Sequence, residues 1–224
     1  MPLPILFDMD GIILEGPRTS PQVYADAVDD ALAELDAIPS PAQRRELRRH
    51  DTTHLSEHCT TLGIDPDRFW ALAERYASDG THDRLRSGDR GRYDDTIVLD
   101  ELAERTTLGL VTNNRHQTAE FVADHFEFEF DVIRGRDPTI DGYRRRKPNP
   151  YYIEDALATL GIDDDPRGLY VGDFEKDVIA GTAAGLETAF VRRQHNRELD
   201  RPADATYKLE SLTELSTLLD ELDR

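Results

Sequence analysis

Two aspartates separated by one residue close a short apolar run, Ile5-Leu6-Phe7-Asp8-Met9-Asp10-Gly11. In an extended chain, residues two apart project from one face, so both carboxylates converge where a strand leaves its sheet. Paired acids so placed attract a cation. A second pair, Asp173 and Asp177, sits in Gly172-Asp173-Phe174-Glu175-Lys176-Asp177, again straight after an apolar run, Gly168-Leu169-Tyr170-Val171. Two carboxylate pairs at two strand ends point to one shared pocket. Two other places carry groups suited to it: Thr112-Asn113-Asn114, with a hydroxyl and amides, and Lys147 within Arg146-Lys147-Pro148-Asn149-Pro150. Taken singly, each is ordinary, because a strand-end Asp often only caps a turn or a helix.

The elements that must hold these residues are read from periodicity. After Glu15-Gly16-Pro17 the pattern is helical as far as Tyr93. Ser20-Pro21 supplies an N-cap and a first-turn proline before Val23, Ala27, Val28, Ala31 and Leu32 at helical spacing, and this helix stops near Ile38-Pro39. Ser40-Pro41 opens an arginine-rich segment, and Asp65-Pro66 opens a third helix carrying Phe69, Trp70, Ala73 and Tyr76, with its end expected at Gly80. Beyond Tyr93, helices alternate with short apolar strands at 108–112, 130–133, 169–171 and 188–191. A weak strand at Thr206-Tyr207 and a helix over 211–222 finish the chain. Such alternation predicts right-handed βαβ units, a doubly wound parallel sheet wrapped by helices, and ligands beyond the carboxyl ends of its strands.

Composition narrows the class. The net charge of -19 argues against a nucleic-acid partner and against an anionic membrane. The 27 basic residues include only Lys147, Lys176 and Lys208 as lysines, and this depletion beside a diffuse acidic excess reads as a surface suited to high salt, a halophilic trait. No stretch reaches the roughly 20 apolar residues of a membrane span, and no secretory signal opens the chain, so it reads as soluble and cytoplasmic. The single cysteine, Cys59, forms no internal disulfide and reads as a packing residue.

In this order and with these flanks, the motifs resemble the haloacid dehalogenase superfamily. The likeness rests on DxDG at the first strand, a hydroxyl residue plus Asn after the second core strand, Lys before a Pro-rich helix start, and GDxxxD after a later strand. It implies an α/β core over 1–16 and 93–224 and an inserted α-helical cap over 17–92, as in phosphoglycolate phosphatase-like relatives. It also implies a phosphatase acting on a small-molecule phosphate ester. In that reading Asp8 is the nucleophile and forms an aspartyl-phosphate, while Asp10 protonates the leaving oxygen and then activates water. Thr112, Asn113 and Lys147 hold the phosphoryl oxygens, with Lys147 also neutralising charge. The metal would be bound by Asp8, by Asp10 through its main-chain carbonyl, by Asp173, and by Asp177 directly or through water. All-oxygen ligands favour Mg²⁺. Charge supports the set independently: one Mg²⁺, Lys147 and one acidic proton balance the four carboxylates.

The sequence departs from many relatives at Ile12 and at Phe174, positions that flank the acids without supplying a ligand. A phosphosugar mutase uses the same core residues and stays open as an alternative. A 2-haloacid dehalogenase would not need Asp10 or a metal, and a phospho-signalling receiver would carry no large insertion after its first strand. In the cap, His50, His54 and His58 recur every four residues, which on one helix would form a stripe. Asp51 or Thr53 as the N-cap of a helix would leave His50 outside that helix. Arg44, Arg45, Arg48 and Arg49 pair with surface acids or greet an anionic substrate, and Arg144, Arg145 and Arg146 likewise pair with surface acids or add positive charge beside Lys147.

Overall fold

The computed structural model describes residues 3–162 and 167–222. The chain divides into two compact units: Met1–Arg18, Arg90–Arg136 and Arg145–Arg224 form the first, and Thr19–Asp89 with Asp137–Arg144 form the second. The helices in chain order are α1 (Pro21–Glu34), α2 (Pro41–Leu47), α3 (Leu55–Leu62), α4 (Pro66–Arg86), α5 (Val98–Ala103), α6 (His116–His125), α7 (Ile140–Arg144), α8 (Tyr151–Leu160), α9 (Glu175–Ala183) and α10 (Glu214–Leu222). The strands are β1 (Ile5–Phe7), β2 (Leu108–Arg115), β3 (Val132–Arg136), β4 (Leu169–Gly172), β5 (Glu187–Val191) and β6 (Tyr207–Leu209).

The first unit is the α/β layer that the alternation predicts. Its six strands lie in the order β3-β2-β1-β4-β5-β6, every pairing parallel. The chain steps outward from β1 to β3 and returns to lay β4 on the other side of β1. The carboxyl ends of β1 and β4 therefore flank the switch point where such sheets bind ligands. Phe7 is in register with Leu110 on one side and Val171 on the other, so Asp8, Thr112 and Asp173 all emerge at that edge. β1 reads as an unbroken apolar run because it is central and buried on both faces. Leu6, Val111, Val132 and Tyr170 pack beneath α8 through Tyr152 and Ile153.

The second unit is helical. Each expected start is capped: Ser20 accepts the Gln22 N–H, Ser40 and Gln43 form a reciprocal capping box, and Asp65 accepts the Arg68 N–H at 2.8 Å. Its core gathers Val28, Leu32, Leu47, Leu55, Phe69 and Trp70. Cys59 is buried in the same core, and burial pushes its thiol up to about 11, which makes it a packing residue rather than a nucleophile.

The structure departs from the periodicity in several places, β2 running on to Arg115 and β3 beginning only at Val132 among them. α4 does not stop at Gly80 but continues to Arg86. A β-carbon on Gly80 would stand 3.3 Å from Val23 Cγ1, so the glycine serves the close approach of α1 to α4, not termination. α3 begins at Leu55, and His54 before it makes no side-chain cap hydrogen bond, which is why no start signal announces the helix. Residues 137–144 belong to the helical unit because Ile140 and Tyr143 of α7 pack on its core, with the Tyr143 hydroxyl donating to His50 O at 2.9 Å.

The histidine spacing makes no stripe. His50 lies outside any helix with φ of 54°, buried between the rings of Tyr24 and Trp70, and its Nε2 is 3.1 Å from Glu74 Oε1. His54 precedes α3 on the surface and His58 lies within it. The arginines of α2 meet acids: Arg44 and Arg48 pair with Asp29, and Arg49 pairs with Glu46 at 3.1 Å. No helix among the described residues is long and apolar enough to cross a membrane.

Candidate active site

The end of β1 and the end of β4 bring three carboxylates together. Ligand oxygens of Asp8, Asp173 and Asp177 lie within 4.8 Å of one another, and all three side chains are buried. Among the described residues this is the one such group of potential metal ligands. Lys147 Nζ stands between two of them, 2.9 Å from Asp8 Oδ1 and 2.8 Å from Asp177 Oδ1. The ammonium also donates to the Tyr170 hydroxyl at 2.6 Å and to Val111 O at 3.3 Å, so every contact that fixes it comes from the central strands or the acids.

Local folding explains each placement. Asp8 leaves β1 with Oδ1 accepting the Met9 N–H at 2.8 Å, which fixes the carboxylate's rotation. Asp177 sits in the first turn of α9, its Oδ2 accepting the Phe174 N–H at 3.0 Å, where the helix dipole favours a negative group. Gly11 has φ of +85°, and a β-carbon there would come within 2.1 Å of Asp173 Oδ2. Only glycine lets the turn after Asp10 pass so close to Asp173.

Burial and the lysine oppose each other in setting the charges. For Asp8, burial is the largest influence and would raise the carboxyl, but the Lys147 ammonium, the more distant Lys176 charge and the hydrogen bonds from Lys147 and the Met9 N–H together hold Asp8 below the ordinary range. Burial pushes Asp177 up, and Asp8 adds to this, although Lys147 pulls the other way. Burial pushes Asp173 up to about 7, opposed by its hydrogen bond to His195 and reinforced by the two neighbouring acids. Burial disfavours the Lys147 charge, yet Asp177 and Asp8 hold it well above its usual value. The cluster thus holds more negative charge than one ammonium can balance.

A divalent cation fits that deficit. Asp173 Oδ1 is buried without a hydrogen-bond donor, while Oδ2 is taken by His195 Nε2 at 2.5 Å. An orphaned carboxylate oxygen beside two further acids is a donor set for a hard cation.

The remaining residues of interest fall around this cluster. Thr112 is buried, and its Oγ1 accepts the Asn114 N–H at 3.2 Å, leaving its proton to donate elsewhere. Asn113 turns to the other side: its Nδ2 donates to Lys147 O at 3.0 Å and its Oδ1 accepts the Lys147 N–H at 2.7 Å. Its side chain thereby clamps the backbone that carries the ammonium. Asp10 stands outside the acidic trio, its Oδ2 accepting from Asn114 Nδ2 at 3.0 Å and its Oδ1 paired with Arg90 at 2.8 Å.

Several residues join the site with no motif to announce them. Asn114 shares a strand face with Thr112, which strand alternation implies once β2 runs as far as Arg115. The turn after β5 supports Asp173 from behind: Asn196 Nδ2 donates to Asp173 O at 2.9 Å, and the His195 ring stacks on Phe174. Arg193 donates to Gly11 O and Ile12 O and pairs with Asp95 at 2.7 Å, pinning the turn after β1.

Comparisons with known proteins bear on the family and the fold. A family model described as haloacid dehalogenase-like hydrolase matches residues 5–191. The pyrophosphatase PpaX of Anoxybacillus flavithermus is 30% identical over 221 residues, covering 96% of this chain and 95% of that protein. The N-acetylmuramic acid 6-phosphate phosphatase of Pseudomonas aeruginosa is 28% identical over 204 residues, covering 89% of this chain and 85% of that protein. Among solved structures, CbbY from Rhodobacter sphaeroides in complex with phosphate superposes with a TM-score of 0.66 at 22% identity, covering 98% of this chain and 100% of that one.

Proposed function

Because the chain belongs to the haloacid dehalogenase-like hydrolase family, in its phosphatase branch, we propose that it is a Mg²⁺-dependent phosphatase of a small phosphorylated metabolite, working through an aspartyl-phosphate on Asp8. The observation that carries this reading is the buried Asp8–Lys147–Asp177 bridge beside the orphaned Asp173 oxygen. It keeps one carboxylate ionised and rotationally fixed at a sheet edge while leaving room in the charge balance for a cation.

In this mechanism the Asp8 carboxylate attacks phosphorus in line with the departing ester oxygen. Asp10 gives its proton to that oxygen and afterwards takes one from the water that hydrolyses the intermediate. The Thr112 hydroxyl and the Lys147 ammonium donate to the phosphoryl oxygens, and Asn113 holds Lys147 in place through its backbone. Asp8, Asp173 and Asp177, with the Asp10 carbonyl, would hold Mg²⁺, which when bound neutralises the phosphoryl charge. The helical unit, residues 17–92 on the sequence reading, serves as a substrate cap. The acidic, lysine-poor surface is read as adaptation to high salt, and one of its three lysines is buried in the site.

The test is phosphate release from a panel of esters that includes pyrophosphate and amino-sugar phosphates, with and without Mg²⁺, from low to molar salt. Metal-dependent release that Asp8→Asn abolishes is the expected result. Equal turnover by the Asp8→Asn protein removes the nucleophile and with it the mechanism. Recovery of an isomeric sugar phosphate in place of inorganic phosphate would make the protein a mutase.

A further inference from the structure

Arg90 is the first residue of the α/β unit after the chain returns from the helical unit, and its side chain is only 11% exposed. Its Nε donates to Glu15 O at 2.7 Å and its Nη2 donates to Gly16 O at 3.0 Å. Both acceptors are backbone carbonyls on the outgoing segment, which is paired with the returning one through Glu15 N–H to Gly91 O and Tyr93 N–H to Ile13 O, each at 3.0 Å. The guanidinium is therefore anchored to main chain, not to mobile side chains. From that anchorage Nη2 reaches Asp10 Oδ1 at 2.8 Å, while Asn114 Nδ2 holds Oδ2 from β2 at 3.0 Å. Asp10 therefore has the charged guanidinium against Oδ1 as an ion pair and one amide hydrogen bond on Oδ2, from two different elements.

We propose that Arg90 is a positioning residue for proton transfer: it fixes the Asp10 carboxyl so that this group, rather than solvent, meets the leaving oxygen. The proposal rests on the reading of Asp10 as the acid given above. A carboxyl on two rotatable bonds needs such restraint, because misplacement of a catalytic group by about 1 Å costs on the order of 100-fold. A lysine would keep the charge but lacks the fork that reaches two carbonyls and a carboxylate at once.

The test compares wild type with Arg90→Gln, Arg90→Lys and Asp10→Asn on a graded series of substituted aryl phosphates, reading kcat/KM against leaving-group pKa. With an aligned acid the rate depends weakly on the leaving group. Arg90→Gln should steepen that dependence, losing roughly 10- to 100-fold on the poorest leaving groups and little on p-nitrophenyl phosphate, with Arg90→Lys in between. Asp10→Asn should be steepest. A uniform loss in Arg90→Gln, parallel to wild type while Asp10→Asn steepens, overturns the positioning role and leaves the Asp10 reading intact. If Asp10→Asn itself runs parallel to wild type, the acid has been misassigned. A crystal structure of the Arg90→Gln protein gives a readout independent of turnover: Asp10 displaced or doubled supports the proposal, and Asp10 unmoved overturns it.

Discussion

The over-acidic cluster ties metal, proton and stability together in a way that can be measured without any substrate. In the metal-free protein, burial and the two neighbouring acids push Asp173 from 3.8 up to about 7. The folded state then binds a proton that the unfolded chain has released. The Asp173 contribution is therefore present in full below about pH 4 and is lost as pH rises through about 7. At roughly 1.4 kcal/mol for each unit, the ceiling is about 4 kcal/mol, or on the order of 10 °C in melting temperature for a chain of this length. Asp177 is shifted the same way, whereas Asp8, held low by Lys147, acts only in acid below this window. Asp173→Asn isolates the effect, since the amide has the shape of the neutral acid and never ionises. The assay is thermal unfolding in EDTA at fixed salt, wild type against Asp173→Asn, from about pH 4.5 to about 8. The variant should gain on wild type as pH rises towards about 7, and the gap should level off above that. Saturating Mg²⁺ should reverse the order by stabilising wild type alone, by about 2.7 kcal/mol at a hundred times Kd. A gap that stays constant with pH, or an equal Mg²⁺ response in the two proteins, refutes the reasoning.

Other outcomes follow from the same geometry. Lys147→Met leaves Asp8 and Asp177 buried without their ammonium and should cost about 3–5 kcal/mol in urea unfolding, part of which Lys147→Met/Asp177→Asn recovers; a double variant no more stable than the single one contradicts the bridge. His195→Leu frees Asp173 Oδ2 and should weaken Mg²⁺ binding in calorimetric titration by about 10- to 100-fold, with His195→Gln retaining much of it; unchanged binding in both variants removes His195 from the support of the site. Gly80→Ala exchanges up to about 1 kcal/mol of helix propensity against a 3.3 Å contact with Val23, so it should fall within about 1 kcal/mol of wild type, while Gly80→Leu should lose several times that. A stable Gly80→Leu protein would mean that α1 and α4 do not approach there.

What the sequence disclosed and what it hid divide along a physical line. Patterns that repeat within a few residues were legible: the buried runs of β1 and β4, the Ser-Pro and Asp-Pro starts of α1, α2 and α4, and the acids that follow their strands by one residue. Gly80 misled because a glycine inside a helix and one at its end look alike until the packing partner, here Val23, is known. The two asparagines after Thr112 turn on a strand boundary. With β2 ending at Thr112, Asn113 and Asn114 are both loop residues of equal promise; with β2 running to Arg115, alternation sends Asn114 to the Asp10 side and Asn113 to the backbone of Lys147. Arg90, Arg193 and His195 lie beyond any reading of spacing. Arg90 reaches a residue 80 positions earlier across an entire inserted unit, and His195 meets Asp173 only because β5 lies beside β4. Their partners are set by strand order, and their acceptors include main-chain carbonyls, which carry no residue identity to detect. The acids of the proposed site thus announce themselves locally, while the groups that contact those acids are placed by topology. Variants of the contacting groups are accordingly where this fold's logic is most sharply tested.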